Sequence, residues 1–278
     1  MIINRIQFTV ALLVTGLVLP SAALAASKRY SRVSKPAVCR SVIFSDVTKG
    51  KILFAKNITL KVLPASTAKI MTALVVLETL PLDQYVTVGP HAKNIQPSTV
   101  NLVPGEKYKV RDLLYALLLN SANDASIVLA EAVAGSEVQF VQKMNRRARQ
   151  LGAKNTRFAN SNGLPTARGT QFSTAQDMSL IFREALKNSF FRIAIRYRYK
   201  IIHSNAGRQI VLKSHNKILF NDWNQKVYGK TGYTRAAQSC FVGSLEQRGR
   251  TMIIAVFGCS DRWKTIKSVV TRYGKVRL

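Results

Sequence analysis

The order of local sequence patterns is what most restricts the fold of this chain. Short runs rich in β-branched residues stand near both ends, and a long segment with helical periodicity lies between them. Strands that are grouped at the two ends and separated by helices favour an α+β architecture with a mostly antiparallel sheet. We therefore expect both ends of the chain to contribute strands to one sheet.

The strand predictions start with a hairpin. Residues 38–44 and 52–55 are β-rich, and residues 46–50 between them have the composition of a turn. Five further runs carry strand signals in the C-terminal part of the chain: 192–202, 209–212, 227–232, 239–246 and 251–258.

Helical spacing occupies the middle of the chain. Apolar residues recur every three or four positions from Ser66 to Leu80, so Ser66 falls at the start of a helix. Two Ser-x-x-Gln sequences, beginning at Ser136 and Ser173, have the spacing of capping boxes and start helices that reach about residues 151 and 186. The remaining helices are predicted at 110–119, 125–134 and 263–273.

Residues 1–25 have the features of a secretory signal peptide. Arg5 precedes an apolar run at 8–19, and small residues follow at 23–25. The run is shorter than the roughly 20 residues of a membrane-spanning helix, and an uncleaved anchor is the alternative. We expect an exported protein of the periplasm or cell envelope, with residues 26–278 as its single mature domain.

Positive charge dominates the composition. The 278 residues include 42 Lys and Arg against 13 Asp and Glu, which gives a net charge of +29. Such an excess attracts nucleic acid, anionic lipid and acidic polymers alike. Because an exported protein rarely meets nucleic acid, we expect electrostatic contact with an anionic envelope or membrane surface, and no nucleic-acid partner. A basic proteome or a need for solubility would explain the charge equally well.

The chain has three cysteines, Cys39, Cys240 and Cys259. A cross-strand disulfide between Cys240 and Cys259 is one option in an oxidising compartment, since both lie on adjacent predicted strands. Small buried thiols are the state that the sequence favours. The three histidines have no close spacing to each other or to a cysteine, so no metal site is predicted.

Three short motifs combine into a candidate nucleophilic site. Ser66 and Lys69 are three residues apart on a predicted helix, so both side chains project from one face. A lysine can take the proton of a serine hydroxyl when its pKa is lowered, and burial or a second cation such as Lys230 would lower it. The helix start also offers backbone N–H groups to a developing negative charge.

Ser121 and Asn123 form the second motif, where one apolar helix ends and another begins. Serine and asparagine are favoured there as helix caps, and capping alone would explain them. If the motif is functional, Ser121 carries a proton between Lys69 and a leaving amine, while the Asn123 amide binds the substrate backbone.

Lys230, Thr231 and Gly232 form the third motif, at the end of a predicted strand. A glycine inside a strand often marks the close approach of another backbone or a ligand. A peptide could add to such a strand edge, where Lys230 and Thr231 would hold its carboxylate. The Tyr233 N–H would then complete an oxyanion hole with that of Ser66. An edge strand with an ordinary lysine is the alternative.

Together these motifs and their flanking sequence resemble the low-molecular-mass penicillin-binding proteins, the serine-type D-alanyl-D-alanine carboxypeptidases of peptidase family S11. The likeness covers roughly residues 30 to 275. Four segments carry it: 63–73 (LPASTAKIMTA), 110–118 (VRDLLYALL), 158–164 (FANSNGL) and 229–234 (GKTGYT).

The resemblance implies a fold and an activity. The fold is a five-stranded antiparallel sheet with helices on both faces and a helical lobe between the first and second motifs, similar to β-lactamases and transpeptidases. The activity is removal of the terminal D-alanine from peptidoglycan stem peptides through an acyl-enzyme, with acylation by β-lactams and no cofactor. The implied roles are Ser66 as nucleophile, Lys69 as base, Ser121 and Asn123 beside the scissile bond, Lys230 and Thr231 on the terminal carboxylate, and Gly232 and Tyr233 along the bound peptide.

The sequence departs from many relatives in two places. Residues 26–278 correspond to the catalytic domain alone, and we expect neither the β-rich second domain nor the amphipathic C-terminal anchor of those relatives. An arginine that binds the substrate carboxylate in some relatives has either Ser260 or Arg262 as its counterpart.

Two alternative functions belong to different classes. A serine β-lactamase of class A uses a glutamate poised over a water, and Glu184 with Asn188 has the corresponding spacing. Glu184 lies in the helix predicted from Ser173, where an exposed Glu and Asn need no further explanation. A non-catalytic basic protein that binds the envelope is the second alternative, and the intact Ser66 and Lys69 disfavour it.

Overall fold

The computed structural model describes residues 38–93, 95–167 and 170–278, so the predicted signal peptide lies outside the described residues. The strands, in chain order, are β1 (Ser41–Asp46), β2 (Lys51–Lys56), β3 (Tyr85–Thr87), β4 (Lys107–Lys109), β5 (Tyr199–His203), β6 (Gln209–Lys213), β7 (Tyr228–Thr234), β8 (Gln238–Gln247) and β9 (Arg250–Cys259). The α-helices are α1 (Lys69–Leu77), α2 (Val110–Leu119), α3 (Asn123–Ala134), α4 (Glu137–Gln150), α5 (Ala175–Ala185), α6 (Ser189–Ala194) and α7 (Arg262–Gly274).

A five-stranded antiparallel sheet lies at the centre, in the order β2-β1-β9-β8-β7. Strand β1 lies between β2 and β9, so segments from both ends of the chain share the sheet, as the order of sequence patterns predicts. Strand β7, which carries the third motif, is at one edge. That edge is therefore free to face a ligand.

Alternating side chains bury both faces of the sheet. Val42 and Phe44 of β1 belong to one core cluster together with Val270 of α7. Ile43, between them, belongs to a second cluster that includes Ile181 of α5. Because successive side chains of a strand point to opposite faces, this pattern requires cover on both sides. Helix α7 supplies it on one face and α5 on the other.

A helical lobe is built around α2, α3 and α4, beside the small hairpins β3–β4 and β5–β6. Helix α2 is nearly all apolar, and eight of its ten residues are buried. The predicted lobe between the first and second motifs corresponds to α2. Helices α3 and α4 extend the lobe beyond the second motif.

The strand predicted at 192–202 is wrong in its first half. Helix α6 occupies Ser189–Ala194, and β5 begins only at Tyr199. The Asn188 side chain caps this helix by accepting from the Phe191 N–H at 3.1 Å. Phe191 and Ala194, three residues apart, are both buried. The alternation of basic and apolar residues in this segment hid the helical spacing.

One predicted cap is displaced by one residue. Ser136 caps α4 as predicted, accepting from the Gln139 N–H at 3.3 Å. At α5 the cap is Thr174, whose hydroxyl accepts from the Asp177 N–H at 3.0 Å. Ser173 instead exchanges backbone hydrogen bonds with Val62, which keeps it in an extended conformation before the helix.

The favoured state of the cysteines, small buried thiols, holds for Cys240 but not for Cys39 and Cys259, and the alternative bridge from Cys240 to Cys259 is absent. Cys39 and Cys259 form a disulfide, and Cys240 is a free, buried cysteine. In the β8–β9 register Cys259 lies opposite Ser239, so the side chain of Cys240 falls on the other face of the sheet. Cys39 lies two residues before β1, the strand beside β9, and meets Cys259 on the α7 face.

The described part of the chain contains neither a helix suited to a membrane nor a cluster of side chains suited to a metal. None of its helices combines the length and apolar character that crossing a membrane requires. No group of three or more His, Cys, Asp or Glu side chains in the same part is arranged to hold a metal ion.

Candidate active site

The three motifs meet at one cleft of about 910 Å³ beside the edge strand β7. Ser66 lies half-buried in a 3₁₀ turn, Ala65–Ala68, that leads directly into α1. Ser121 lies in the short connection between α2 and α3. Both line the cleft, together with Thr231, Gly232 and Tyr233 of β7. Behind this wall lie the buried side chains of Lys69, Asn123 and Lys230.

Lys69 is fully enclosed, with none of its surface exposed. Its Nζ lies 3.2 Å from Ser66 Oγ, 2.7 Å from Asn123 Oδ1 and 2.8 Å from the Asn162 carbonyl oxygen. The two carbonyl oxygens can only accept a hydrogen bond, whereas a serine hydroxyl can also donate one. A neutral Lys69 amine therefore satisfies both carbonyls with its two N–H groups and turns its lone pair towards Ser66.

The environment of Lys69 favours this neutral form. Burial lowers its pKa well below the usual 10.5, and the nearby positive charge of Lys230 lowers it further. Asp124 acts in the opposite direction. The Asp124 carboxylate is committed to the backbone N–H groups of Val100 and Leu102, at 3.0 and 3.1 Å. The predicted combination of desolvation and a second cation is present.

Lys230 is the second buried amine, with 1% of its surface exposed. Its Nζ donates to Ser121 Oγ at 2.9 Å and to the Thr231 carbonyl oxygen at 3.0 Å. Burial, followed by the charge of Arg262, lowers its pKa to about 7. Ser121 thus belongs to the Lys230 side of the site, whereas Asn123 bonds to Lys69.

Two residues of the site are held in the left-handed backbone region. Ala65, directly before the serine of the first motif, has φ 46°, and Ser121 has φ 59°. Residues other than glycine rarely adopt this conformation, and it persists where the surroundings impose it. Both serines are therefore aimed into the cleft by strained backbone.

Two glycines allow strand β7 and the loop at 160–164 to approach the 3₁₀ turn closely. A Cβ added to Gly232 would lie 3.1 Å from the Thr67 backbone nitrogen, so a side chain there would push strand β7 and the turn apart by a few tenths of an ångström. This is the close approach that the strand glycine predicts. On the other side, a Cβ on Gly163 would overlap the Ala65 carbonyl oxygen, and Gly163 has φ 84°.

The loop at 160–164 contributes to the site without a role predicted from the sequence. Its Asn162 carbonyl oxygen accepts from Lys69. The Asn160 side chain accepts from the Gly163 N–H at 2.8 Å and donates to the Leu164 carbonyl at 2.7 Å, which fixes the loop. The Asn-Gly dipeptide is a turn signal, but a backbone carbonyl as ligand leaves no signature in a sequence.

Of the two candidates for a carboxylate-binding residue, only Arg262 lines the cleft. It is the first residue of α7, and its Nη1 donates to the carbonyls of Gly232 at 2.8 Å and Cys240 at 3.1 Å. Its Nε is buried without a partner. Ser260 instead accepts a hydrogen bond from the Val38 N–H.

His215, on the cleft wall, had no role predicted from the sequence. Partial removal from water lowers its pKa to about 4, and the charges of Lys230, Lys69 and Arg262 contribute. A neutral imidazole is therefore present at physiological pH.

A sequence model of the D-alanyl-D-alanine carboxypeptidases, Peptidase S11, matches residues 30–261, most of the chain. The chain belongs to the S11 family. Among curated S11-type relatives, D-alanyl-D-alanine carboxypeptidase DacF of Bacillus subtilis is 35% identical over 240 residues. That alignment covers 84% of this chain but only 60% of DacF.

Solved structures share the fold of this S11 family member. A D-alanyl-D-alanine carboxypeptidase of Mycobacterium tuberculosis is 31% identical with a TM-score of 0.79, and the match covers 88% of this chain and 94% of that one. The Streptomyces K15 DD-transpeptidase is 28% identical with a TM-score of 0.78, over 87% and 99% of the two chains.

Glu184, the candidate water-activating residue of a β-lactamase, has other partners in this S11 family member. Its carboxylate pairs with Arg147 at 3.1 Å and with Lys187 at 2.8 Å. These cations, Lys187 first, lower its pKa. Asn188 caps α6. Both residues therefore have structural roles, where the sequence predicts only exposed polar positions.

Proposed function

We propose that this protein is a serine D-alanyl-D-alanine carboxypeptidase that cleaves the terminal D-alanine from peptidoglycan stem peptides and is acylated by penicillins. The observation that carries the proposal is the position of Lys69, a buried amine of lowered pKa whose Nζ lies 3.2 Å from the Ser66 hydroxyl. Membership of the S11 family gives the substrate class.

In the acylation step, Ser66 attacks the carbonyl carbon between the two D-alanines. The lone pair of Lys69 takes the hydroxyl proton as the Oγ–carbon bond forms. We assign the oxyanion to the backbone N–H groups of Ser66 and Tyr233, which both line the cleft. Collapse of the tetrahedral intermediate breaks the C–N bond and leaves an ester on Ser66.

The leaving amine needs a proton, and Ser121 is placed to donate it. Its Oγ accepts from Lys230, so the hydroxyl hydrogen is free to point into the cleft. Lys230, with a pKa of about 7, can return a proton to Ser121. We therefore assign the relay to the Lys230–Ser121 pair, in place of a direct Lys69–Ser121 exchange.

The terminal carboxylate of the substrate requires cations and hydroxyl donors. Thr231 and Arg262 line the cleft on the β7 side, and Lys230 lies directly behind them. Arg262 already holds two backbone carbonyls through Nη1, which fixes its guanidinium beside the strand. We assign carboxylate binding to Lys230, Thr231 and Arg262.

The site of action that we propose is the cell envelope. The disulfide between Cys39 and Cys259 supports it, since disulfides persist in oxidising compartments. The signal-like residues 1–25 and the net charge of +29 also support a location in the cell envelope. Release of the protein from membranes by concentrated salt would support electrostatic attachment, whereas retention would favour an uncleaved N-terminal anchor.

Covalent labelling by a fluorescent penicillin tests the enzyme assignment directly. The wild-type protein is expected to form a stable labelled band, and Ser66→Ala is expected to abolish it. Ser98→Ala, which removes a different hydroxyl from the cleft wall, is the matched control and should label normally. A wild-type protein that does not label would refute the proposal.

The released product distinguishes the carboxypeptidase from a β-lactamase. We expect release of D-alanine from a peptide ending in D-Ala-D-Ala, and slow release of penicilloate from the labelled enzyme. Glu184 supports this expectation because its carboxylate is held by Arg147 and Lys187. Rapid turnover of the drug without D-alanine release would favour the β-lactamase.

A further inference from the structure

The cleft contains more positive charge than one terminal carboxylate requires. Lys213, Lys217 and Arg262 line it, and no Asp or Glu from the described part of the chain does. Lys230 lies behind the same wall. Lys230 and Arg262 are assigned above to the terminal carboxylate. Lys213 and Lys217 therefore have no assigned role in binding that carboxylate.

Lys213 and Lys217 belong to a wall whose backbone is fixed. Lys213 is the last residue of β6, and Lys217 begins a 3₁₀ turn, Lys217–Phe220. Between them, the His215 N–H donates to the Leu119 carbonyl at 3.0 Å, at the end of α2. The buried Asn216 side chain donates to the Val227 carbonyl at 2.8 Å, just before β7. The wall is thus tied to both neighbours of the catalytic cleft.

The ammonium of Lys213 is held by aromatic rings and not by an acid. Its Nζ lies 5.6 Å from the ring centroid of Phe220 and 5.9 Å from that of Tyr199, and the two rings contact each other edge to face. Within the described residues, neither Lys213 nor Lys217 forms an ion pair. Asp222, nearby in sequence, is exposed and pairs with neither. Both charges are available to a ligand.

We propose that Lys213 and Lys217 form a second carboxylate subsite, which selects donor peptides carrying an acidic residue before the two D-alanines. This inference rests on the proposed function. The alanine side chain has no charge, and the terminal carboxylate is held at the opposite, β7 side of the cleft. A second carboxylate can therefore only belong to a residue that precedes the alanines. The ring of Phe220 gives that residue an apolar surface beside the charges.

Pairs of peptides that differ by one charge test this subsite. The probes are acetyl-Glu-D-Ala-D-Ala with its Gln counterpart, and the same pair with one glycine inserted before the alanines. In at least one pair, kcat/KM for D-alanine release is expected to be about fivefold higher for the acidic peptide than for its neutral counterpart. The difference should arise mainly from a lower KM, because a partly exposed ion pair contributes a modest amount of binding energy. The preference should shrink as salt is added.

Substitutions then locate the preference. Lys213→Gln with Lys217→Gln should remove the advantage of the Glu peptide, and Lys213→Arg with Lys217→Arg should retain it. Lys51→Gln with Lys56→Gln, on β2 at the opposite edge of the sheet, removes the same charge and should leave the preference unchanged. Equal kcat/KM within both pairs, or a preference that survives the Gln substitutions, would overturn the subsite. Neither result affects penicillin labelling at Ser66, which tests the proposed function separately.

Discussion

At the scale of single residues, the site depends on two buried amines kept in different protonation states. Lys69 faces two carbonyl oxygens and one hydroxyl, and burial lowers its pKa well below the usual range. Lys230 faces a hydroxyl and one carbonyl, and its pKa falls to about 7. A neutral base and a proton-donating cation can therefore coexist near neutral pH. Burial and the charge of Lys230 lower the pKa of Lys69, whereas burial and the charge of Arg262 lower that of Lys230.

This pair predicts the pH dependence of acylation. The rate should rise with pH as Lys69 loses its proton, and fall above about pH 7 as Lys230 does. Asn123→Asp places a carboxylate 2.7 Å from Lys69 Nζ without changing the shape of the side chain. The new negative charge favours the ammonium form and raises the Lys69 pKa, so the acidic limb should move to higher pH by at least about one unit.

The measurement is kcat/KM for penicillin acylation across the pH range. Asn221→Asp, which also adds a carboxylate to the cleft, is the control and should leave the position of the acidic limb unchanged. If Asn123→Asp and Asn221→Asp give the same profile, the base is not Lys69 in the arrangement described.

The sequence predicted most of these residues but not all of their contacts. Ser66 and Lys69 are recognisable because a serine and a lysine three residues apart must share a helix face. The lowered Lys69 pKa also follows from burial beside a second cation. The Asn162 carbonyl could not be predicted, because any residue has a carbonyl and its use depends on the path of the backbone. The pairing of Ser121 with Lys230 depends on how two distant segments pack.

At the scale of elements, the 3₁₀ turn Ala65–Ala68 is held between β7 and the loop at 160–164. Gly232 and Gly163 are the points of closest approach on the two sides. The turn has no side-chain cap of its own at its start. Its geometry is therefore set by its neighbours, and a change in either neighbour should reach Ser66.

Gly163→Ala tests this support. The added Cβ would overlap the Ala65 carbonyl oxygen and also meet a left-handed backbone, φ 84°. Gly207→Ala is the matched control, because Gly207 has φ 82° and nothing within 4 Å of an added Cβ. Both variants should lose about 1–2 kcal/mol of unfolding free energy from the backbone conformation. Gly163→Ala should lose a further 1–3 kcal/mol, approximately, from the overlap.

Urea unfolding and the rate of penicillin acylation distinguish the two glycines. Only Gly163→Ala should slow acylation at temperatures where both variants are folded. Equal losses of stability and unchanged acylation in both would mean that the loop does not position the 3₁₀ turn.

Element prediction from the sequence succeeded where one pattern dominates. Helix α2 and the strands β8 and β9 follow from strong helical periodicity and from β-rich runs bounded by turns. Helix α6 was not predicted because basic and apolar residues, such as Arg192 and Ile193, alternate in this segment as they would in a strand. The residues that are buried, Phe191 and Ala194, instead have helical spacing. Its stability comes from tertiary packing and the Asn188 cap, which a local pattern of six residues does not reveal.

At the scale of the whole molecule, one covalent link joins two neighbouring strands of the central sheet, β1 and β9, that are far apart in sequence. The disulfide connects Cys39 to Cys259 across 220 residues. It could not be predicted from the sequence, since the pairing depends on β1 lying beside β9 rather than on spacing. Once that order is known, the opposite faces of Cys240 and Cys259 exclude the alternative.

Removing this link should destabilise the protein by about 2–5 kcal/mol, because a cross-link over a long loop restricts the unfolded chain. The comparison is thermal unfolding of the wild type and of Cys39→Ala with Cys259→Ala, each with and without reductant. Reductant should lower the Tm of the wild type and leave the double variant unchanged. Cys240→Ala should keep the sensitivity of the wild type to reductant. If Cys240→Ala lost that sensitivity, the stabilising disulfide would not be the one between Cys39 and Cys259.

The placement of β1 between β2 and β9 also has a consequence for the order of folding. The hairpin β1–β2 is synthesised before the other strands of the sheet, yet β9, the strand that joins it to them, is complete only at Cys259. Such distant pairings form slowly because a long chain segment must close before any contact is gained. Strand β1 therefore cannot pair with β9 until the chain has been synthesised as far as Cys259, and the assembled cleft is a late product of folding.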